Sequence, residues 1–167
     1  MAFYYFDARA LVKYYVTEPG STWVRQLIKE RETATGQPRH LILVAEITRV
    51  EVAAGLAIIE RVDRIKKTER DREYARFTAQ LVHRYAIIPL TTGDFEAAAA
   101  LTQRHPLKAY DAVQLAVAIR YHHLLAAYQL VFVCGDNALL AAAQREGLST
   151  ANPFEHVVPE DAIGGSH

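Results

Sequence analysis

Four short, continuously apolar runs punctuate the chain: Ala2–Phe6, Leu41–Val44, Ala86–Leu90 and Leu130–Val133. Runs of this length with no polar alternation predict strands buried on both faces. Between them lie longer stretches whose apolar residues recur at helical spacing: 22–31, 46–60, 68–85, 95–104, 109–122 and 137–146. Gly147 directly after the last of these reads as a helix stop. Strands alternating with helices predict an α/β fold, with a central parallel sheet covered by helices on both sides. In such sheets ligands gather beyond the carboxyl ends of the strands, so residues just after each strand draw attention first.

Asp7 immediately follows the first apolar run, and Asp136 follows the fourth by two residues after Cys134-Gly135. Both positions also suit a helix N-cap, for which aspartate is favoured, and that reading stays open for each. Glu51 and Asp111 are odder. Glu51 shares a helical stripe with Ile47, Gly55 and Ile58, and Asp111 one with Leu107, Leu115 and Ile119. An inward carboxylate on an apolar stripe needs a partner, either a buried arginine or a cation. Four such acids without a histidine or cysteine cluster favour Mg2+ or Mn2+ over zinc, because hard cations take oxygen ligands. A site of this kind suits phosphodiester chemistry.

The remaining polar candidates fit structural roles better. Asp94 opens a helix in Thr91-Thr92-Gly93-Asp94 and reads as a cap. Glu46 suits the surface more than an outer ligand shell. His122 and His123 are adjacent and point to different helix faces, which argues against a two-histidine metal site. Tyr4, Tyr5, Tyr14 and Tyr15 read mainly as core or dimer surface, with base stacking as the functional alternative.

Length and composition fit one domain over residues 1–160, with 161–167 as a tail whose Gly164-Gly165-Ser166-His167 resembles a linker remnant. The chain has 167 residues, 51% of them hydrophobic and 23% charged, which excludes general disorder. A lone cysteine excludes an internal disulfide and fits a reducing, cytoplasmic setting. No apolar run approaches the roughly 20 residues of a membrane span. Nineteen basic residues balance nineteen acidic ones, so attraction to a polyanion must be local. Arg61, Arg64, Lys66 and Lys67 are the densest basic stretch and read as a solvated helix face, while Arg9 and Lys13 lie near the first acid.

Taken together, Tyr5-Phe6-Asp7-Ala8-Arg9-Ala10-Leu11-Val12-Lys13, Thr48-Arg49-Val50-Glu51, Ala109-Tyr110-Asp111-Ala112-Val113-Gln114-Leu115-Ala116 and Phe132-Val133-Cys134-Gly135-Asp136 resemble the PIN domain. Within it they are most similar to the VapC toxins of toxin-antitoxin pairs, in order from about residue 3 to 153. The resemblance implies an α/β/α sandwich, an acidic pocket binding Mg2+ or Mn2+, and cleavage of single-stranded RNA. It carries Asp7, Glu51 and Asp111 onto the three core acids and Asp136 onto the more variable fourth. It further implies a homodimer and a small VapB-like antitoxin partner.

Two positions depart from the family pattern. Arg9 stands where a small hydroxyl residue is usual, and Cys134 where another hydroxyl is usual, which puts one hydrogen bond to the ligand set in doubt. The expected function is therefore a metal-dependent endoribonuclease, with Arg9 and Lys13 contacting substrate phosphate. Its alternative is a catalytically weakened PIN-like module that binds RNA or protein, in which Arg9 stands in for the metal. An aspartyl phosphatase is less favoured, because no Asp-x-Asp pair follows the first strand.

Overall fold

The computed structural model describes residues 1–165. Its centre is a five-stranded, all-parallel sheet in the order β3-β2-β1-β4-β5. The strands are β1 (Ala2–Phe6), β2 (His40–Ala45), β3 (Ala86–Ile88), β4 (Leu130–Val133) and β5 (Ser149–Ala151). Around them wrap α1 (Ala8–Tyr15), α2 (Ser21–Lys29), α3 (Thr48–Arg61), α4 (Lys67–Arg84), α5 (Thr92–Arg104), α6 (Ala109–Leu124) and α7 (Asn137–Arg145). Two 3-10 segments, Pro153–His156 and Pro159–Gly165, follow β5.

Strand alternation sorts the core into two layers. Phe3, Tyr5, Leu43, Ala45, Leu130 and Phe132 face the side covered by α5, α6 and α7, where they meet Leu101, Leu115 and Leu139. Phe6, Ile42, Val44 and Val133 face the opposite side, against Leu11, Tyr14, Val52, Leu56 and Phe77 of α1, α3 and α4. Both faces being buried is why the central strands carry no polar alternation. The predicted α/β/α sandwich is observed.

Boundaries shift for identifiable reasons. Glu46 and Ile47 form a turn, so α3 begins at Thr48 rather than at 46. The fifth helix begins three residues before the predicted Phe95, because Thr91 and Asp94 form a reciprocal capping box. β5 was not predicted: Ser149-Thr150-Ala151 is short, polar and only partly buried, and it pairs in parallel with β4 at the sheet's edge. Gly147 ends α7 with φ +90°, as its position suggested.

Asp161, which the sequence reading assigned to the tail, belongs to the fold. Its carboxylate is buried and accepts from the Gly20 and Thr22 amides and from the Thr22 hydroxyl, each at 2.8 Å. The second 3-10 segment thus caps α2, and of the predicted tail Ser166 and His167 lie outside the described residues. Among the described residues no helix is long and apolar enough to cross a membrane.

Candidate active site

β1 and β4 are parallel neighbours with Phe6 opposite Val133, so the residues that follow them leave the sheet side by side. Asp7 follows β1, and its amide extends the pairing by donating to the Val133 carbonyl at 3.1 Å. Asp7 then caps α1, with Oδ1 accepting from the Ala10 amide at 2.8 Å. Asp136 caps α7 in the same way, accepting from the Leu139 amide at 2.9 Å. Glu51 and Asp111 sit in the first turns of α3 and α6. All four predicted acids therefore stand at helix N-termini, whose partial positive charge favours carboxylates. The capping reading for Asp7 and Asp136 holds together with membership of the cluster.

Arg9 ties the cluster together. Its guanidinium is 2.9 Å from Asp111, 3.4 Å from Asp136 and 3.8 Å from Asp7. One cation among four acids leaves a strong excess of negative charge. Asp7 is almost fully buried, and desolvation pushes its pKa up to about 6 against the pull of the Ala10 amide and Arg9. Burial likewise pushes Glu51 up to about 7, opposed by a 2.6 Å hydrogen bond from the Gln114 amide. The carboxyl of Asp111 is also raised by burial, with Arg9 pulling the other way.

Cys134 keeps the hydrogen bond that its position had put in doubt. Its thiol donates to Asp7 Oδ2 at 3.3 Å, a weaker bond than a hydroxyl would make, and Sγ accepts from the Asp136 amide at 3.2 Å. Burial and the neighbouring Asp7 carboxylate push the thiol's pKa far up, so the sulfur stays protonated.

The apolar stripe expected around Glu51 is in fact a wall open to solvent. Ile58 is 57% exposed, and Gly55 and Glu51 are intermediate. Lys13 does not reach the acids. It is buried, bonded to Glu18 at 3.3 Å, with its ammonium 4.1 Å from the centroid of the Phe154 ring. Asp94 is structural as predicted, held by Thr91 and by two bonds from Arg120 at 2.7 and 2.8 Å. Glu46 is exposed. Tyr5, Tyr14 and Tyr15 are core residues and Tyr4 is partly buried. The basic stretch is solvated but spans the end of α3 and the start of α4 rather than one helix face, and Arg64 pairs with Glu18 at 3.0 Å.

Sequence reasoning missed Gln114. It is almost fully buried, accepts from the Tyr5 hydroxyl at 2.5 Å, and donates to Thr48 at 3.0 Å and to Glu51. The signal was present: a lone amide in the apolar run Ala112–Ala118, three residues after Asp111 on the same helix side. It also missed Phe154, whose segment shows no motif.

The donor set is all oxygen, and burial of its charge raises the carboxyls of Asp7 and Glu51, a cost that a hard divalent cation would relieve. In this arrangement Arg9 takes the central position, and no three acidic, histidine or cysteine side chains among the described residues are gathered closely enough to coordinate an ion. The chemistry fits such an ion at the position the guanidinium holds, and the Arg9 side chain is 57% exposed.

A parallel α/β sandwich with acids gathered at the carboxyl edge of its sheet places its candidate site where open α/β sheets bind ligands. The sequence matches the PIN domain over residues 4–129, and the chain belongs to that family. Comparison with curated proteins finds no match. Among solved structures, FitAcB from Neisseria gonorrhoeae is similar at 15% identity and TM-score 0.60, covering 90% of this chain and 98% of that one. VapBC2 from Rickettsia felis, bound to a DNA fragment from its promoter, is similar at 14% identity and TM-score 0.57, with the same coverage. A toxin-antitoxin complex from Klebsiella pneumoniae is similar at 20% identity and TM-score 0.54, covering 92% of this chain and 98% of that one. At these identities the likeness is one of fold.

Proposed function

We propose that the protein is a metal-dependent endoribonuclease that cleaves single-stranded RNA, acting as the VapC-like toxin of a toxin-antitoxin pair. The observation that carries this reading is the convergence of Asp7, Glu51, Asp111 and Asp136 at one edge of the sheet, three of them around Arg9. Membership of the PIN family, whose members are generally nucleases, supports it, as does a similar solved structure described as a toxin-antitoxin complex. Asp7, Glu51 and Asp111 would hold Mg2+ or Mn2+, with Asp136 assisting. Bound there, the ion would activate a water for in-line attack and neutralise charge on the leaving oxygen, giving a 5′-phosphate product.

The chain's own residues prepare that site. Gln114 fixes the Glu51 carboxyl, and Cys134 and the Ala10 amide fix Asp7. Glu51, whose pKa burial pushes up to about 7, would give up its remaining proton when a cation binds. Arg9, once displaced from the acids, is positioned for a substrate phosphate. The proposed partners are RNA, a VapB-like antitoxin and a second copy of the chain, in the cytoplasm.

Arg9 also motivates the second reading, a PIN-like binding module in which the guanidinium is a permanent substitute for the ion. Incubating the purified, antitoxin-free protein with structured and unstructured RNAs in Mg2+, Mn2+ or EDTA separates the two. Metal-dependent cleavage lost in Asp7→Asn and Asp111→Asn is the expected result. Cleavage that survives both substitutions overturns the mechanism, and absence of metal binding by calorimetry favours the binding module.

A further inference from the structure

A cleft of about 410 Å3 opens beside the acids, between α1, α3 and the first 3-10 segment. That volume lies within the range of about 300–1,000 Å3 common for small-ligand sites. Along α1 it runs from Arg9 to Lys13 and along α3 from Glu51 to Ile59. Gly55 faces Val12 midway, where an added Cβ would lie 3.4 Å from the valine methyl. From the acidic end to the far end α1 advances about one turn, roughly 6 Å, and α3 about two turns, roughly 12 Å.

The far end has the opposite charge balance. Glu18 is the shared partner of two cations, Lys13 at 3.3 Å and Arg64 at 3.0 Å, so one positive charge there is left over. Between the two ends stands Phe154, 49% exposed. An exposed phenylalanine is ordinarily loose, but this one is held. Its amide donates to Asn152 Oδ1 at 2.9 Å, and two residues later His156 stacks on Trp23 at 4.5 Å. Gly135 leaves the space the ring needs, since a Cβ at that position would lie 2.7 Å from the ring's Cε2.

We propose that this cleft is the subsite for one unpaired nucleotide flanking the bond to be cut, its base packed against Phe154 and its outer phosphate facing Arg64, while the buried Lys13 offsets the charge of Glu18. The inference rests on the single-strand nuclease reading above and gives it a physical basis: an aromatic ring accepts a base only when that base is not paired. An exposed arginine next to a fixed ring favours a nucleic acid over a peptide segment as the occupant.

The test is binding rather than cleavage, read in EDTA. A single-stranded RNA hexamer carrying 2-aminopurine is titrated with the wild-type protein and with F154A, F154W and R64A. Wild type and F154W are expected to quench the fluorophore. F154A should bind about tenfold more weakly, as expected for losing one base-aromatic contact. R64A should weaken binding and reduce the salt slope by about one. No measurable binding by the wild-type protein, or affinity within twofold of it in both F154A and R64A, overturns the proposal; a cleft made for a peptide would behave in the second way. Acid-dependent RNA cleavage without quenching removes the subsite alone. Quenching without cleavage removes the nuclease and leaves the subsite standing.

Discussion

Replacing Asp7 by asparagine should stabilise the metal-free protein at neutral and alkaline pH, although Asp7 is buried and makes three polar contacts. The folded state raises its pKa from 3.8 to about 6. A carboxyl that holds its proton more tightly when folded contributes its full stability below about pH 3.8, and loses that contribution as pH rises through about 6. A difference of about two units corresponds to about 3 kcal/mol at pH 8. Asparagine keeps the cap, since it serves as well as aspartate in accepting from the Ala10 amide. Its amide also reverses the weak bond with Cys134, with the sulfur accepting instead of donating. The net expectation is a gain of about 1–3 kcal/mol at pH 8, shrinking toward zero near pH 4. Urea denaturation from pH 4 to 8 in EDTA measures it. A variant less stable than wild type at pH 8, or a difference that does not change with pH, refutes the reasoning. Mn2+ at about a thousand times its Kd should reverse the order, because an ion that binds only the folded wild type then adds about 4.1 kcal/mol.

Three further outcomes follow from the same geometry. Arg9→Ala removes the cation seated among Asp7, Asp111 and Asp136, so Mn2+ affinity measured by calorimetry should rise about 5- to 50-fold, the equivalent of a few partly exposed ion pairs; unchanged affinity would show that the guanidinium does not compete. Gln114→Leu leaves the buried Tyr5 hydroxyl without its acceptor and should cost about 2–3 kcal/mol in denaturant unfolding, with Glu51 losing the Gln114 amide. Asp161→Ala strips the N-terminus of α2 of its acceptor and should cost about 1–2 kcal/mol; a change under half that would mean the C-terminal segment contributes nothing to the fold.

The four acids were legible because each violated its surroundings: two followed buried strands and two interrupted apolar helical stripes. The parallel sheet was legible from the same continuous runs, which only burial on both faces explains. What escaped had no such contrast. β5 is three polar residues whose strand conformation is set by its neighbour β4, not by its own composition. The outward turn of Ile58 could not be read from periodicity, which gives the angle between residues but not the direction of the core. Asp161 looked like part of a tail because its partners, Gly20 and Thr22, lie about 140 positions away.

The strand order carries a consequence for synthesis. β1, the first strand made, occupies the middle of the sheet and pairs on one side with β4. Arg9 meets Asp111 and Asp136 across 102 and 127 positions of sequence. A chain growing from the ribosome therefore carries Asp7 long before it carries the strand that brings Asp136 beside it. The acidic site cannot exist on a half-made chain. The complete site assembles only once the chain has been made through Asp136, residue 136 of 167, so its chemistry is a property of the finished fold and of no earlier length of chain.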